Sequence, residues 1–132
     1  MTAIVRLPYP VSANRYWRIN PHTCRPYRSS EAGDYIEAVG WACVAQGCTE
    51  PTQETVALHL QFAHAAGRRI DLSNGIKVLE DALQGHAYAD DKQVVHLEAE
   101  LVLLPRKAEP YVIVTVTPRA VRALLTQQEV VK

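Results

Sequence analysis

The sequence predicts an α/β (α+β) fold: one compact domain in which a small mixed sheet packs against two or three helices. Three observations carry that expectation. The 132 residues are enough for one hydrophobic core and too few for two ordinary ones. Segments with an apolar period of two are interleaved with segments whose apolar residues recur every three or four positions. No internal repeat, low-complexity tract or linker interrupts them, so residues 1–132 read as a single domain.

The elements follow in order. Ala3–Leu7 reads as a short strand that runs into Pro8, Pro10 and the loop signal Ser12-Ala13-Asn14. Arg15–Arg28 reads as irregular, with Pro21 and Pro26 among the aromatics Tyr16, Trp17 and Tyr27. In Glu31–Gln46 the residues Tyr35, Ile36, Val39, Ala42 and Cys43 recur at helical spacing, with Ser29 or Ser30 as cap and Gly47 as stop. Thr55–Ala63 alternates as a strand, placing Val56, Leu58, Leu60 and Phe62 on one side. A helix is expected over Asn74–Gln84, ended by Gly85, then a short loop carrying Tyr88, Asp90 and Asp91. Gln93–Leu104 and Tyr111–Thr117 read as strands, and Pro118 opens a stretch that makes residues 119–132 a C-terminal helical extension. The order β, α, β, α, β, β, α places helices against one sheet.

Composition narrows the class. The chain is 48% hydrophobic and 21% charged, and no stretch approaches the roughly 20 apolar residues of a membrane span. MTAIVRLPYP lacks the apolar core of a secretory signal, so a cytoplasmic protein is the expectation. Cys24, Cys43 and Cys48 are odd in number and include no C-x-x-C pair, which points to neither a disulfide framework nor a zinc site. Fourteen basic and fourteen acidic residues cancel, yet they are segregated along the chain. Arg6, Arg15, Arg18, Arg25 and Arg28 precede the first acid, Glu31, and no Lys or Arg stands between Ser29 and Gly67. A locally basic surface can steer a polyanion even when the total charge is zero.

The chemistry-bearing stretch is Asp71-Leu72-Ser73-Asn74-Gly75-Ile76-Lys77, followed by Glu80-Asp81-Ala82-Leu83 and Asp90-Asp91-Lys92-Gln93-Val94-Val95. On a helix from Asn74, Ile76, Leu79 and Leu83 form an apolar stripe, while Lys77, Glu80, Asp81 and Gln84 share another face. Asp71 and Ser73 then fall just before the first turn, where free backbone N–H groups favour anions. Acidic oxygens beside a lysine suit phosphodiester hydrolysis: magnesium takes hard oxygen ligands, and an ammonium can stabilise charge on a phosphate. On spacing alone, the plainer reading comes first: Asp71 as a helix cap and Lys77 with Asp81 as an ordinary surface ion pair.

The chain resembles the RusA family of Holliday-junction resolvases over most of its length. Leu7-Pro8-Tyr9-Pro10-Val11-Ser12-Ala13-Asn14-Arg15-Tyr16 is similar to the family's L-P-x-P-x-S-x-N-x-x opening. Arg69-Ile70-Asp71-Leu72-x-Asn74-x-x-Lys77 is close to its D-x-D-N-x-x-K core, and Asp81-Ala82-Leu83 with Asp90-Asp91-x-Gln93-Val94-Val95 to its D-A-L…D-D-x-Q-V-V pattern. Each motif is weak alone; three in order are specific. The resemblance implies a RusA-like fold, a homodimer acting on four-way DNA junctions in recombination and repair, and magnesium as cofactor, with manganese as a substitute. A phage or prophage source is compatible with it. It also implies three metal-binding aspartates and a catalytic lysine. Asp71 matches the first aspartate, Asp91 the third and Lys77 the lysine. Asp90 shares the third's role or orients its loop; Asn14, Asn74 and Asp81 support the site.

Where the family's second aspartate is expected, this chain has Ser73. A hydroxyl can still ligate magnesium, but the site loses an anionic ligand. Glu80, seven residues on, returns to nearly the same helical face, about 10.5 Å further along the axis. That separation keeps Glu80 from simply occupying the missing position. The expectation is compensation by Ser73, by Glu80 through a shifted metal or bridging water, or by both, against Glu80 merely pairing with a lysine or arginine. For DNA contact the candidates are Arg15, Arg18, Arg25, Arg28, Arg68 and Arg69, which grip phosphates, with Tyr16 and Trp17 to stack on unpaired bases. Of the five histidines, only His86 is kept as a supporting residue near the Asp90-Asp91 loop. Two rivals remain: a branched-DNA binder that cuts poorly or not at all, and a non-enzymatic interaction domain.

Overall fold

The computed structural model describes residues 2–11, 13–65 and 72–123. The chain runs β1 (Ala3–Pro8), α1 (Ala13–Tyr16), β2 (Trp17–Ile19), β3 (Pro26–Arg28), α2 (Ser30–Ala45), β4 (Val56–Ala65), α3 (Leu72–Leu83), a 3₁₀ turn (Asp91–Gln93), β5 (Val94–Leu104) and β6 (Tyr111–Pro118). The main sheet has the order β1-β6-β4-β5. It is mixed: β6 pairs antiparallel with both β1 and β4, while β4 and β5 run parallel. A parallel pair needs a crossover, and α3 supplies it. The expected α/β (α+β) class is the observed one.

The core lies on one face of this sheet. Val5 and Leu7 of β1, Leu58, Leu60 and Phe62 of β4, and Val112 and Val114 of β6 are all buried, each two residues from the next. Tyr35, Val39 and Cys43 of α2 and Val78, Leu79 and Leu83 of α3 close over them. Ser29 caps α2 by accepting from the Ala32 N–H, and Gly47, at φ +80°, follows the helix where a stop was expected.

Three expectations are corrected. Arg15–Arg28 is not irregular: β2 and β3 form an antiparallel ribbon, Trp17 opposite Arg28 and Arg18 opposite Tyr27. Its loop is tied by the Asn20 side chain, which accepts from the His22 and Thr23 N–H groups, a local turn that periodicity cannot register. α3 starts at Leu72 rather than Asn74, so Ser73 lies inside the first turn and not before it. Residues 119–123 form no helix, and the rest of the expected extension, 124–132, lies outside the described residues.

Candidate active site

The site is built on one face of α3 and on the loop that returns from it. Residues four apart on a helix stand one above the other. Ser73, Lys77 and Asp81 therefore share a stripe, with Glu80 beside it. The opposite side of α3 is held down by close contact: Gly75 is buried, and a Cβ there would stand 2.8 Å from the Phe62 ring and 3.1 Å from Pro10 Cγ. Glycine is required for that approach, and it seats the helix start against β4 and the proline loop.

After α3 the chain turns back at Gly85, at φ +84°, whose N–H donates to the Tyr88 carbonyl at 2.7 Å. The buried Tyr88 hydroxyl donates to the Glu80 carbonyl at 2.7 Å, so the loop is fastened along the helix. Asp90 caps the 3₁₀ turn by accepting from the Lys92 N–H at 2.9 Å. Gln93 completes the clamp: its Oε1 accepts from the Asp90 N–H, and its Nε2 donates to the Thr52 and Glu54 carbonyls at 2.9 and 2.7 Å. The Asp91 N–H reaches Gln84 Oε1 at 3.4 Å. These bonds return Asp91 to α3, fourteen residues after Lys77.

There Lys77 Nζ donates to Asp91 Oδ2 at 2.8 Å and stands 3.3 Å from Asp81 Oδ1. The Asp81 side chain is only 10% exposed, that of Asp91 24% and that of Lys77 63%. The Lys77 ammonium holds the Asp91 carboxyl below its usual range, and the hydrogen bond to Asp91, then that to Asp81, raises Lys77 above its own. Both groups are firmly ionised near neutral pH. Glu80 moves the other way: partial burial pushes its carboxyl up, against the opposing pull of Lys77.

Lys77, Asp81 and Asp91 are thus brought together. Ser73 is exposed in the first turn of α3, and Asn74 is half-buried. Asp71, Arg68 and Arg69 lie outside the described residues, as does the Asn14 side chain. Asp90 is exposed and serves as a cap, the loop-orienting alternative. Tyr16 is corrected: it is 1% exposed and cannot stack on a base. Its hydroxyl instead points at Asp81 Oδ2, 3.5 Å away. Trp17, 47% exposed, keeps a free face and packs edge-on against Tyr16. Arg15, Arg18, Arg25 and Arg28 are exposed around this ribbon, with Glu31 4.0 Å from Arg15. The His86 ring packs over Gly40 of α2. The residues that sequence reasoning left without a role are Gln93, whose contacts with Thr52 and Glu54 join segments 41 and 39 residues apart, and Gln84, which holds the Asp91 N–H locally.

The sequence model of the family described as endodeoxyribonuclease RusA matches residues 8–117 of the 132. The chain belongs to the RusA family. That match runs from Pro8, the second residue of the first motif, through the core around Lys77 to beyond Gln93-Val94-Val95, and it makes the chain a member of a nuclease family. A comparison with curated proteins gives no match. No helix among the described residues is long and apolar enough to cross a membrane.

Asp91 offers what a magnesium ion requires of a ligand: an ionised, solvent-reachable carboxylate. Asp81 and Asp91 converge on one ammonium, gathering negative oxygen around a positive charge. Among the described residues no three His, Cys, Asp or Glu side chains form a complete metal cage. The donor chemistry suits a hard divalent cation, with further ligands needed beyond Asp91.

Proposed function

We propose that this RusA-family chain is a magnesium-dependent, structure-specific endodeoxyribonuclease that resolves Holliday junctions by paired symmetric nicks, in recombination and repair. The observation that supports it most directly is the 2.8 Å contact between Lys77 and Asp91, residues of two separate motifs. Asp91 and Asp71 would hold the magnesium, helped by Ser73 or Glu80. A bound magnesium ion, or manganese in its place, neutralises phosphate charge and lowers the pKa of an attacking water. Lys77 stabilises the negative charge that builds on the phosphate, and Asp81 keeps its ammonium aimed. Arg15, Arg18, Arg25, Arg28, Arg68 and Arg69 grip the backbone, with Trp17 on its exposed edge. A four-way junction has approximate twofold symmetry, and a twofold homodimer would place one site on each of two opposed strands.

Ser73 favours a second reading, a junction binder with weak or no cleavage, because one anionic ligand is missing. One experiment separates the two. Full-length protein is given a labelled four-way junction and a matched duplex, with magnesium or with EDTA, alongside Ser73→Asp. Nicking of the junction by wild type, abolished by EDTA, supports the nuclease. If wild type binds junctions but is inert and Ser73→Asp cuts, the binder reading replaces it.

A further inference from the structure

Asp81 is a nearly buried carboxylate, and such a group is costly unless both oxygens find donors. Oδ1 faces Lys77 Nζ at 3.3 Å; Oδ2 faces the Tyr16 hydroxyl at 3.5 Å. Tyr16 is itself buried, so its hydroxyl has few other places to satisfy its proton. The phenol belongs to a different part of the chain, 65 residues away, at the junction of α1 and β2. That junction is fixed: Ser29 N–H donates to the Tyr16 carbonyl at 2.8 Å, and the Ser29 hydroxyl donates to the Arg15 carbonyl. Trp17 packs edge-on on the Tyr16 ring at 5.1 Å between centroids, and the Arg28 guanidinium stands 6.0 Å above it.

We propose that Tyr16 is a positioning residue that orients Asp81 and, through it, the Lys77 ammonium beside Asp91. The phenol is a strut between the exposed arginine ribbon and α3. The Tyr16 hydroxyl, 3.5 Å from Oδ2, restricts how the Asp81 carboxylate turns and favours the rotamer with Oδ1 towards Lys77. A lysine has four rotatable side-chain bonds, so an ammonium tethered to one carboxylate alone samples many positions. Two fixed carboxylates confine it. The role rests on the nuclease reading for its consequence in catalysis, but the orientation of Lys77 is a property of the free protein.

The test uses the full chain with Tyr16→Phe, which keeps the ring and removes only the hydroxyl. Tyr35→Phe is the control, since it deletes another buried tyrosine hydroxyl, one that donates to the Pro8 carbonyl at 2.7 Å rather than facing Asp81. Single-turnover cleavage of bound junction should fall about five- to tenfold in Tyr16→Phe, with junction affinity in calcium unchanged. Tyr35→Phe should cut at the wild-type rate. A wild-type cleavage rate in Tyr16→Phe, or a loss in affinity alone, overturns the proposal. The ¹⁵Nζ resonance of Lys77 is read in parallel, at one pH, without DNA or metal. It should move in Tyr16→Phe and stay in Tyr35→Phe; an unmoved resonance in Tyr16→Phe overturns the proposal. Should wild type not cut any junction, the nuclease reading fails while this resonance still decides the role of Tyr16.

Discussion

At position 77 an ammonium lies within 2.8 Å of one carboxylate and 3.3 Å of another, and three ionisable groups depend on that arrangement. Replacing Lys77 with Met should reduce junction cleavage by about 10²–10³, the scale of losing one charge-stabilising group, with a much smaller change in binding. Single-turnover rates and gel-shift affinities measure the two separately. Asp91 and Glu80 have opposite linkage to stability. The Asp91 carboxyl is depressed in the folded state, so its pairing stabilises the fold above the unfolded carboxylate value of about 3.9 and is lost as pH falls through the folded value. Asp91→Asn should accordingly unfold at lower urea than wild type at pH 7, and the gap should narrow as pH falls below about 3.9. Glu80 is raised by burial, so its ionised form weighs against folding at neutral pH. Glu80→Gln should be the more stable protein at pH 7, with the advantage disappearing below about pH 4. If Glu80 also serves as a metal ligand, the same substitution weakens magnesium-dependent cleavage, a trade of activity for stability.

Among the elements, α3 is the one whose placement matters most, and Gly75 decides it. Alanine there would gain about 1 kcal/mol of helix propensity but drive a methyl to within 2.8 Å of Phe62 and 3.1 Å of Pro10, rigid rings in a packed setting. Overpacking of this kind costs about 1–3 kcal/mol, so Gly75→Ala should lower the midpoint of thermal unfolding, read by circular dichroism. The β2–β3 ribbon makes a different prediction. Arg18 and Arg25 are both exposed, and changing them together to Gln should flatten the slope of log affinity against log salt by about 1–2. An unchanged slope removes the ribbon from the DNA surface. α2 was legible to within one residue, because both its caps and its apolar face are local signals. The ribbon was not, since strands of three residues are too short for alternation to register and their pairing depends on a loop tied by Asn20.

For the whole molecule, the proposed twofold assembly predicts how nicks are distributed. Mixed dimers carrying one Lys77→Met subunit should nick a junction on one strand and leave the opposed strand intact, which denaturing gels with two end labels would show. Paired cutting by such mixed dimers would count against one site per subunit. The single domain, the mixed sheet and the stretch from Leu72 to Asp91 follow from periodicity, spacing and motif order. What these cannot show is which side chains meet. Tyr16 looks like a stacking residue among arginines, yet folding buries it against Asp81. Asp91 looks like half of an acidic pair, yet Asp90 caps the 3₁₀ turn while Asp91 is the one of the two that reaches Lys77.

The linear chain by itself determined the longer helices and strands and the family, because hydrophobic period, capping residues and motif spacing are written in neighbouring positions. Only the tertiary structure decided that Lys77 is shared between Asp81 and Asp91 and that a tyrosine from the first motif stands behind them. Such contacts depend on the angle at which α3 lies over the sheet and on the hydrogen bonds returning the acidic loop to it. Both are outcomes of packing across dozens of residues, and no local pattern encodes them.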